Sequence, residues 1–153
     1  MGAKRQTGLY RAESYRVEDS VGYLIARLRA SIFAAVGREV TSWGISAAQA
    51  SILIYIAHGR GNRAADIARD YDYDTGSMTR MVERLARKGL LQRVRDAGDR
   101  RVVRLRLTPE GARLAHRLPS AAVKVLNRHL RGFSAAELAA LKGYLGRMLD
   151  NAG

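Results

Sequence analysis

The 153-residue sequence contains no cysteine and only two prolines. Without thiols the chain cannot form a disulfide framework, a thiolate-ligated zinc site or a cysteine-based redox sensor. No run of residues approaches the ~20 consecutive apolar residues of a membrane-spanning helix. The basic start of the chain has no apolar segment behind it, which argues against a secretory signal. These absences predict a soluble, cytoplasmic protein.

Patterns that carry enzyme chemistry are also scarce. The three histidines, His58, His116 and His129, match no compact metal-ligand spacing. The sequence has no glycine-rich phosphate loop, no Ser/His/Asp order and no paired carboxylates suited to acid–base chemistry. We therefore predict a protein that is not an enzyme and that uses no metal or other cofactor.

Positive charge is what the chain has in excess. It carries 27 Lys and Arg residues against 14 Asp and Glu residues, a formal net charge of +13, and its pI is about 11.0. Such an imbalance indicates a polyanionic partner, either nucleic acid or an anionic membrane surface. Hydrophobic residues make up 47% of the sequence, enough to build one sizeable core, so a single domain is expected.

The spacing of apolar residues predicts a series of helices. Residues 1–16 lack any period and are interpreted as a flexible basic arm, and residues 17–153 as one domain. A helical period runs through residues 17–36. Ser46 opens a second helix with a capping box, and Asn62 is expected to cap a short third helix.

A fourth helix is predicted after Asp74, whose carboxylate suits the N-cap position. Apolar residues recur there at helical spacing and are expected to point inward: Met78, Met81, Val82 and Leu85. The outward face is then mostly polar and cationic: Gly76, Thr79, Arg80, Glu83 and Arg84. Two short helices, the second with a polar outer face, make a helix-turn-helix candidate.

An arginine-rich hairpin follows the fourth helix. Apolar residues alternate with arginines in two short runs, and Asp96-Ala97-Gly98-Asp99 supplies turn chemistry between them. The hairpin has only the two aspartates against six cations: Arg93, Arg95, Arg100, Arg101, Arg104 and Arg106. Such a self-repelling hairpin indicates a phosphate partner, because counterion release drives its binding. The predicted fold class is mainly α with a small β-hairpin wing (α+β), a winged helix-turn-helix.

The outward face of the fourth helix suits double-stranded DNA. Arg80 can make two hydrogen bonds to one guanine, and Thr79 can meet a thymine methyl. Gly76 has no side chain and permits close approach to a base edge or phosphate. Arg84 lies one turn further on and suits a phosphate.

The hairpin tip suits a narrow minor groove. Arg100 and Arg101 can enter it, and Asp99 is expected to orient a neighbouring arginine. Together with the fourth helix, this predicts the following DNA-binding residues: Asp74, Thr75, Gly76, Ser77, Thr79, Arg80, Arg84, Arg93, Arg95, Arg100 and Arg101.

Other interpretations of the same residues stay open. The helix face can be an ordinary solvated face with a Glu83–Arg87 ion pair, and arginines can simply protect a hairpin edge. The alternative function is a basic nucleoid-associated protein that binds DNA without sequence preference. A membrane-surface binder would need a basic amphipathic helix, whereas these arginines concentrate on a hairpin, so no membrane partner is expected.

Two further helices are predicted at the end of the chain. Thr108-Pro109 begins the first, which Pro119 is expected to bend or interrupt, and a capping box at Ser134 begins the second. The terminal helices carry more apolar surface than a small winged helix needs to cover. An interface between two copies of the chain is the simplest explanation.

This arrangement resembles the MarR family, the multiple-antibiotic-resistance type of bacterial winged-helix repressors. The resemblance rests on residues 74–85, on Lys88-Gly89-Leu90-Leu91, and on the wing pattern Asp96-x-x-Asp99-Arg100-Arg101 with the Leu107-Thr108-Pro109-Glu110-Gly111 that follows it. Ile45-Ser46-Ala47-Ala48-Gln49 and Phe133-Ser134-x-x-Glu137 also fit. The resemblance covers nearly the whole chain.

The resemblance implies an obligate homodimer that represses by binding a pseudo-palindromic operator. Residues 17–45 and 109–153 would form the helical dimerisation region, and residues 46–108 the DNA-binding lobe. It also implies relief of repression by a small aromatic or phenolic acid, and Thr79 and Arg93 resemble positions that meet such a carboxylate in some members. Members that sense oxidants use cysteine, which this chain lacks.

Overall fold

The computed structural model describes residues 8–152; residues 1–7, which belong to the predicted arm, and Gly153 lie outside the described part. Within residues 8–152 the chain forms six α-helices and one two-stranded antiparallel sheet. The predicted class, mainly helical with a small hairpin, is confirmed. The elements are α1 (Val21–Val40), α2 (Ala47–Ala57), α3 (Ala64–Tyr71), α4 (Thr75–Arg87), β1 (Leu91–Arg95), β2 (Val103–Leu107), α5 (Pro109–His129) and α6 (Ala135–Asp150).

The first long helix begins four residues later than its apolar period predicts. The buried hydroxyl of Ser20 accepts a hydrogen bond from the N–H of Tyr23 at 3.2 Å and donates one to the carbonyl of Val17 at 2.7 Å. Because this cap closes the helix at Val21, Val17 is left in a separate 3-10 turn. At the other end the helix continues past Gly37, where its apolar period had faded.

The described end of the predicted arm contacts the start of α1. The hydroxyl of Tyr10 accepts a hydrogen bond from the N–H of Val21 at 2.9 Å. The ring of Tyr10 also packs edge-on against Tyr15, with 5.9 Å between centroids. This part of the segment therefore has defined partners on the helix that follows it.

The start of α3 differs from the prediction. The capping box of Ser46 on α2 forms as expected, but Asn62 does not cap α3, whose N-cap residue is Arg63. The carbonyl of Asn62 instead accepts a hydrogen bond from the N–H of Leu105 on β2 at 2.6 Å. Its side-chain oxygen accepts another from Nη1 of Arg104 at 3.2 Å. Asn62 is wrong as a helix cap because both of its oxygens bind the hairpin.

The helices α2, α3 and α4 pack around one core. Ile52 and Leu53 of α2, Ile67 of α3 and Leu85 of α4 are all fully buried. The chain turns from α3 towards α4 through Asp72, whose φ of 54° lies in the left-handed region. This turn sets α4 beside α3, which is the arrangement of a helix-turn-helix.

The hairpin joins this core at its base. The two strands pair in register from Leu91 opposite Leu107 to Arg95 opposite Val103. Leu91 and Leu105 are buried under the helices, whereas the residues towards the turn are exposed or half-buried. The hairpin thus has an anchored base and a protruding tip.

The helix α5 begins where β2 ends and is locked there by a close backbone approach. The hydroxyl of Thr108 caps it by accepting from the N–H of Gly111 at 3.0 Å, as predicted. A Cβ at Gly111 would lie 1.9 Å from the carbonyl oxygen of Leu90, so this position requires glycine. Pro119 lies inside the helix, which continues to His129, so the predicted interruption does not occur.

The terminal helices enclose an apolar groove that the rest of the described chain does not fill. No residue of α6 is buried. The groove has a volume of about 440 Å³ and lies between α1, α5 and α6. We call it the terminal groove; its lining includes Leu28, Ile32, Val123, Leu126, Phe133 and Leu145.

No single helix within residues 8–152 is long and apolar enough to cross a membrane. The segments Val21–Trp43 and Ala47–Ala57 pass that test of length and composition only when taken together, and they are bent by 85°.

Candidate nucleic-acid interface

The helix α4 presents a polar face to solvent. Met78, Val82 and Leu85 are buried, with exposed fractions between 0% and 3%. The residues expected on the outward face are exposed: Gly76, Thr79, Arg80, Glu83 and Arg84. Thr75, at the first position of the helix, is exposed as well. The core side of α4 is therefore closed, and its exposed side is free to meet a ligand.

The N-terminus of α4 is capped by Asp74, which confirms the predicted cap. One carboxylate oxygen of Asp74 accepts a hydrogen bond from the N–H of Ser77 at 2.9 Å. Bonding from the Ser77 hydroxyl, and then from its backbone N–H, holds the pKa of the Asp74 carboxyl below its ordinary value. Asp74 is thus a charged cap, and the structure gives its carboxylate an internal role.

The side chain of Arg80 folds back towards that capped end. Its Nη2 donates a hydrogen bond to the hydroxyl oxygen of Ser77 at 3.0 Å. A Cβ built on Gly76 would lie 3.5 Å from Nη1 of Arg80 and 3.2 Å from a carboxylate oxygen of Asp74. The guanidinium therefore lies across the position where Gly76 has no side chain, at the end of the helix that a major groove receives.

The hydroxyl of Thr79 is engaged with its own helix. It donates a hydrogen bond to the carbonyl of Thr75 at 2.9 Å. Since the hydroxyl proton is committed, Thr79 offers an outside ligand its methyl group and an oxygen that can still accept.

The tip of the hairpin holds two exposed arginines beside one aspartate. Arg101 has 91% of its side chain exposed, and Arg100 is also exposed. One carboxylate oxygen of Asp99 accepts from the backbone N–H of Arg101 at 3.0 Å and from its Nε at 3.2 Å. Nη2 of Arg101 donates to the other carboxylate oxygen of Asp99 at 3.5 Å, so Asp99 constrains an otherwise exposed guanidinium.

The strand register sorts the other hairpin arginines onto two faces. Arg93 lies opposite Leu105, and residues directly opposite in an antiparallel pair share a face. Arg93 and Arg95 therefore lie on the same face as the buried Leu91, but closer to the tip of the hairpin. Arg104 and Arg106 lie on the other face.

Arg104 differs from the other cations of the hairpin. Its Nε pairs with a carboxylate oxygen of Asp96, and only 42% of its side chain is exposed. Hydrogen bonding from Arg104, and then from two backbone N–H groups of the turn, lowers the pKa of Asp96 to about 2. Arg104 is consequently occupied within the protein. The sequence pattern counted it simply as one more wing charge.

The histidines form no metal site in the described chain. Nδ1 of His58 lies 2.9 Å from the carbonyl oxygen of Ile54, and Nδ1 of His129 lies 2.8 Å from that of Val125. Within residues 8–152 no group of three or more His, Cys, Asp or Glu side chains could hold a metal ion.

Known proteins share this arrangement. A family model described as a winged helix DNA-binding domain matches residues 45–111. The multiple antibiotic resistance protein MarR of Salmonella typhimurium is 29% identical over 106 residues, which cover 69% of this chain and 74% of that protein. The reduced form of MarR from E. coli superposes with a TM-score of 0.75 at 24% identity, covering 85% of this chain and 96% of that one. These comparisons identify a winged helix DNA-binding domain over residues 45–111 and a likeness to MarR proteins over most of the chain.

A second solved structure extends the likeness. BpsR of Bordetella bronchiseptica is 26% identical, with a TM-score of 0.75 over 89% of this chain and 97% of that one. In the present protein the matched residues 45–111 contain all the arginines of α4 and of the hairpin, which we now call the wing. The matched domain therefore includes both the exposed face of α4 and the arginine-rich wing described above.

Proposed function

We propose that this protein is a homodimeric repressor of the MarR family that binds a pseudo-palindromic operator and is released by a small aromatic or phenolic acid. The observation that carries the proposal is the division of the described chain into two surfaces. Residues 46–108 expose a capped helix and a cationic wing, whereas the terminal helices expose an apolar groove. A symmetric dimer would cover the groove and present two copies of the cationic surface to two half-sites.

In the proposed complex α4 enters the major groove at its N-terminal end. Arg80 reads a guanine there, and Thr79 offers its methyl group to a thymine. Arg84 meets a phosphate one turn further on. Asp74 fixes the N-terminal end of α4 by capping it. The small residues that follow allow close approach to the DNA: Thr75, Gly76 and Ser77.

The wing lies along the flanking backbone and minor groove. Arg100 and Arg101 enter the minor groove, and Asp99 sets the direction of Arg101 through the three hydrogen bonds between them. Arg93 and Arg95, on the core face of the hairpin, supply phosphate contacts. Each neutralised phosphate adds about 0.9 to the slope of log K against log salt.

The dimer forms through residues 17–45 and 109–153. The exposed apolar side chains of these segments include Leu24, Leu28, Val123, Leu126 and Met148, each with 46–55% exposure except Leu126 at 41%. Burying apolar surface contributes about 25 cal/mol per Å², so a second copy across these helices gains more than any polar partner.

The effector site is proposed at Thr79 and Arg93. Arg93 lies on the wing face that continues the core, and Thr79 is exposed on the reading helix, so a carboxylate held there would compete with DNA. The family resemblance supports this choice. Release by an aromatic acid, as distinct from the site that binds it, is also supported by BpsR, whose DNA binding is regulated by 6-hydroxynicotinic acid.

The decisive experiment measures sequence preference. The DNA upstream of the protein's own gene is searched for a palindrome, and binding to it is compared with binding to a scrambled duplex at one fixed salt concentration. A steep preference for the palindrome supports a repressor, and equal binding to both supports the nucleoid-associated alternative. Addition of 6-hydroxynicotinic acid or another aromatic carboxylate is expected to release the operator, and Arg93→Ala to remove that response.

Arg80→Ala tests base reading within the same assay. It is expected to weaken operator binding by about 1–3 kcal/mol while changing binding to scrambled DNA much less. Arg147→Ala on α6, outside the matched residues, is the control for loss of one positive charge. Equal losses on both duplexes would show that Arg80 reads no base.

A further inference from the structure

One side-chain cluster of the wing has no place in the DNA contacts above. Arg104 is half-buried, and its guanidinium spans two acceptors on different parts of the chain. Its Nε donates to a carboxylate oxygen of Asp96 at the turn, and its Nη1 donates to the side-chain oxygen of Asn62 at 3.2 Å. A planar guanidinium can make both bonds at once, which a lysine ammonium on its flexible stem cannot reproduce in the same geometry.

The Asp96 end of this cluster controls the shape of the turn. The carboxylate oxygen that does not bind Arg104 accepts from the N–H of Gly98 at 2.9 Å and from the N–H of Asp99 at 3.2 Å. One carboxylate therefore ties the turn, and through it the position of Arg100 and Arg101, to the side chain of Arg104.

The Asn62 end ties the same hairpin to the helix-turn-helix. The backbone carbonyl of Asn62 accepts a hydrogen bond from the N–H of Leu105 at 2.6 Å. Leu105 directly follows Arg104, which is bound by the side chain of Asn62. Asn62 directly precedes Arg63, the N-cap residue of α3. Two hydrogen bonds from consecutive residues of β2 thus end on one residue at the start of α3.

We propose that Asn62 and Arg104 are positioning residues that set the direction of the wing relative to the helix-turn-helix before DNA is bound. They act through Asp96 on the cations of the tip and make no DNA contact themselves. The inference rests on the proposed function, because it assigns a cause to the wing contacts proposed there.

The wing needs such a support. A two-stranded hairpin is marginally stable by itself, and this one also carries six arginines against two aspartates. Only its base is anchored by buried leucines. Without the cluster, the tip would pay an ordering cost on reaching the backbone, and some of its phosphate contacts would be lost.

The first test replaces the uncharged Asn62 and measures how strongly DNA binding depends on salt. In full-length protein, Asn62→Ala is expected to lower the slope of log K against log salt on operator DNA by about one unit or more, although it removes no charge. Asn62→Asp keeps an acceptor for Arg104 and is expected to retain most of the slope. Arg106→Lys, an exposed cation of the same strand and face, is the matched control for Arg104→Lys, which is expected to behave like Asn62→Ala.

The second test needs no DNA. Amide hydrogen exchange in residues 95–103 of free Asn62→Ala is expected to speed up by about tenfold or more, because hydrogen bonds to charged groups are worth at least that factor. Exchange in α4 should not change. Faster exchange throughout the protein would instead mean general destabilisation and would overturn the positioning role.

The two tests separate this inference from the proposed function. If the wild-type protein shows no preference for an operator, the repressor proposal fails whatever the exchange data show. If the operator preference stands but Asn62→Ala changes neither the salt slope nor the exchange of the tip, the inference is wrong. A double variant with Arg101→Ala gives a further check, since a shared contact predicts a combined loss smaller than the sum of the two single losses.

Discussion

The DNA-binding lobe (residues 46–108) and the terminal helices differ in how much of their apolar surface is buried. In residues 46–108 the large apolar side chains are buried or half-buried, and the arginines are exposed apart from the half-buried Arg104. In the terminal helices, apolar side chains of α1, α5 and α6 are exposed around a groove. The core of the lobe is shared with the terminal helices, since Val40 of α1 and Leu114 and Leu118 of α5 are buried in the same cluster. The terminal helices in addition leave apolar surface exposed, which the proposed dimer would cover.

The largest effect is expected from a substitution in the terminal groove. Leu126→Glu places a carboxylate in the terminal groove, where a second copy would leave it buried without a partner. We expect dissociation of the dimer at a cost of about 3–5 kcal/mol, with a correspondingly large loss of operator affinity. Sedimentation analysis measures the loss. Leu126→Met conserves volume and should remain dimeric; a Leu126→Glu variant that stays dimeric would place the interface elsewhere.

The next largest effect is expected at the start of α5, where the terminal helix packs against the DNA-binding lobe. In Gly111→Ala the new methyl group would meet the carbonyl oxygen of Leu90 at 1.9 Å, and that atom is backbone and cannot rotate away. We expect α5 to shift and the free energy of unfolding to fall by about 1–3 kcal/mol. Urea denaturation measures this. Gly143→Ala on α6, where a Cβ meets nothing within 4 Å, is the control and should be neutral or stabilising.

A smaller effect separates reading from folding within the lobe. In Gly76→Ala the methyl group crowds two movable side chains, Arg80 and Asp74, so the fold should tolerate it. Since the helix surface is then further from a base edge, operator affinity should fall by about tenfold, or 1.4 kcal/mol, without loss of thermal stability. Parallel melting and operator-binding curves check this. Unchanged affinity would show that this end of α4 stands clear of the DNA.

The smallest effect is a dependence on acid. Because the folded-state pKa of Asp96, about 2, lies below its ordinary 3.8, ionised Asp96 favours the folded state above pH 3.8. That contribution is lost as the pH falls from about 4 to about 2. Asp96→Asn should show a flatter dependence of stability on pH in this window. The comparison is made by denaturant unfolding at several pH values, and parallel curves for the two proteins would contradict it.

Local chemistry explains which features could be predicted from the sequence. Ser46 and Ser134 reach N–H groups three residues away, and apolar spacing alone turns α4 inward along Met78, Val82 and Leu85. Helix caps and amphipathic faces of this kind depend on near neighbours, so a pattern of residues contains them.

Contacts between distant residues account for what the sequence left out. Asparagine is a residue type that often caps helices, but the partners of Asn62, Arg104 and Leu105, lie more than forty residues further along the chain. The residues of the ion pair between Glu39 on α1 and Lys124 on α5, at 2.7 Å, are even further apart in the sequence. Pro119 stays helical because the buried Leu118 and Ala121 hold α5 against the core, which a propensity rule cannot see.

The helix α5 joins the two regions as one continuous helix. Its 21 residues extend from the end of β2 to the terminal groove, a length of about 30 Å at 1.5 Å per residue. With that reach, a rotation of about 5° at the groove end carries the other end through roughly 2.6 Å, close to half a helical turn. In the proposed dimer this helix would link the two wings mechanically: a change in how two copies pack against each other would alter the spacing at which their wings meet the duplex.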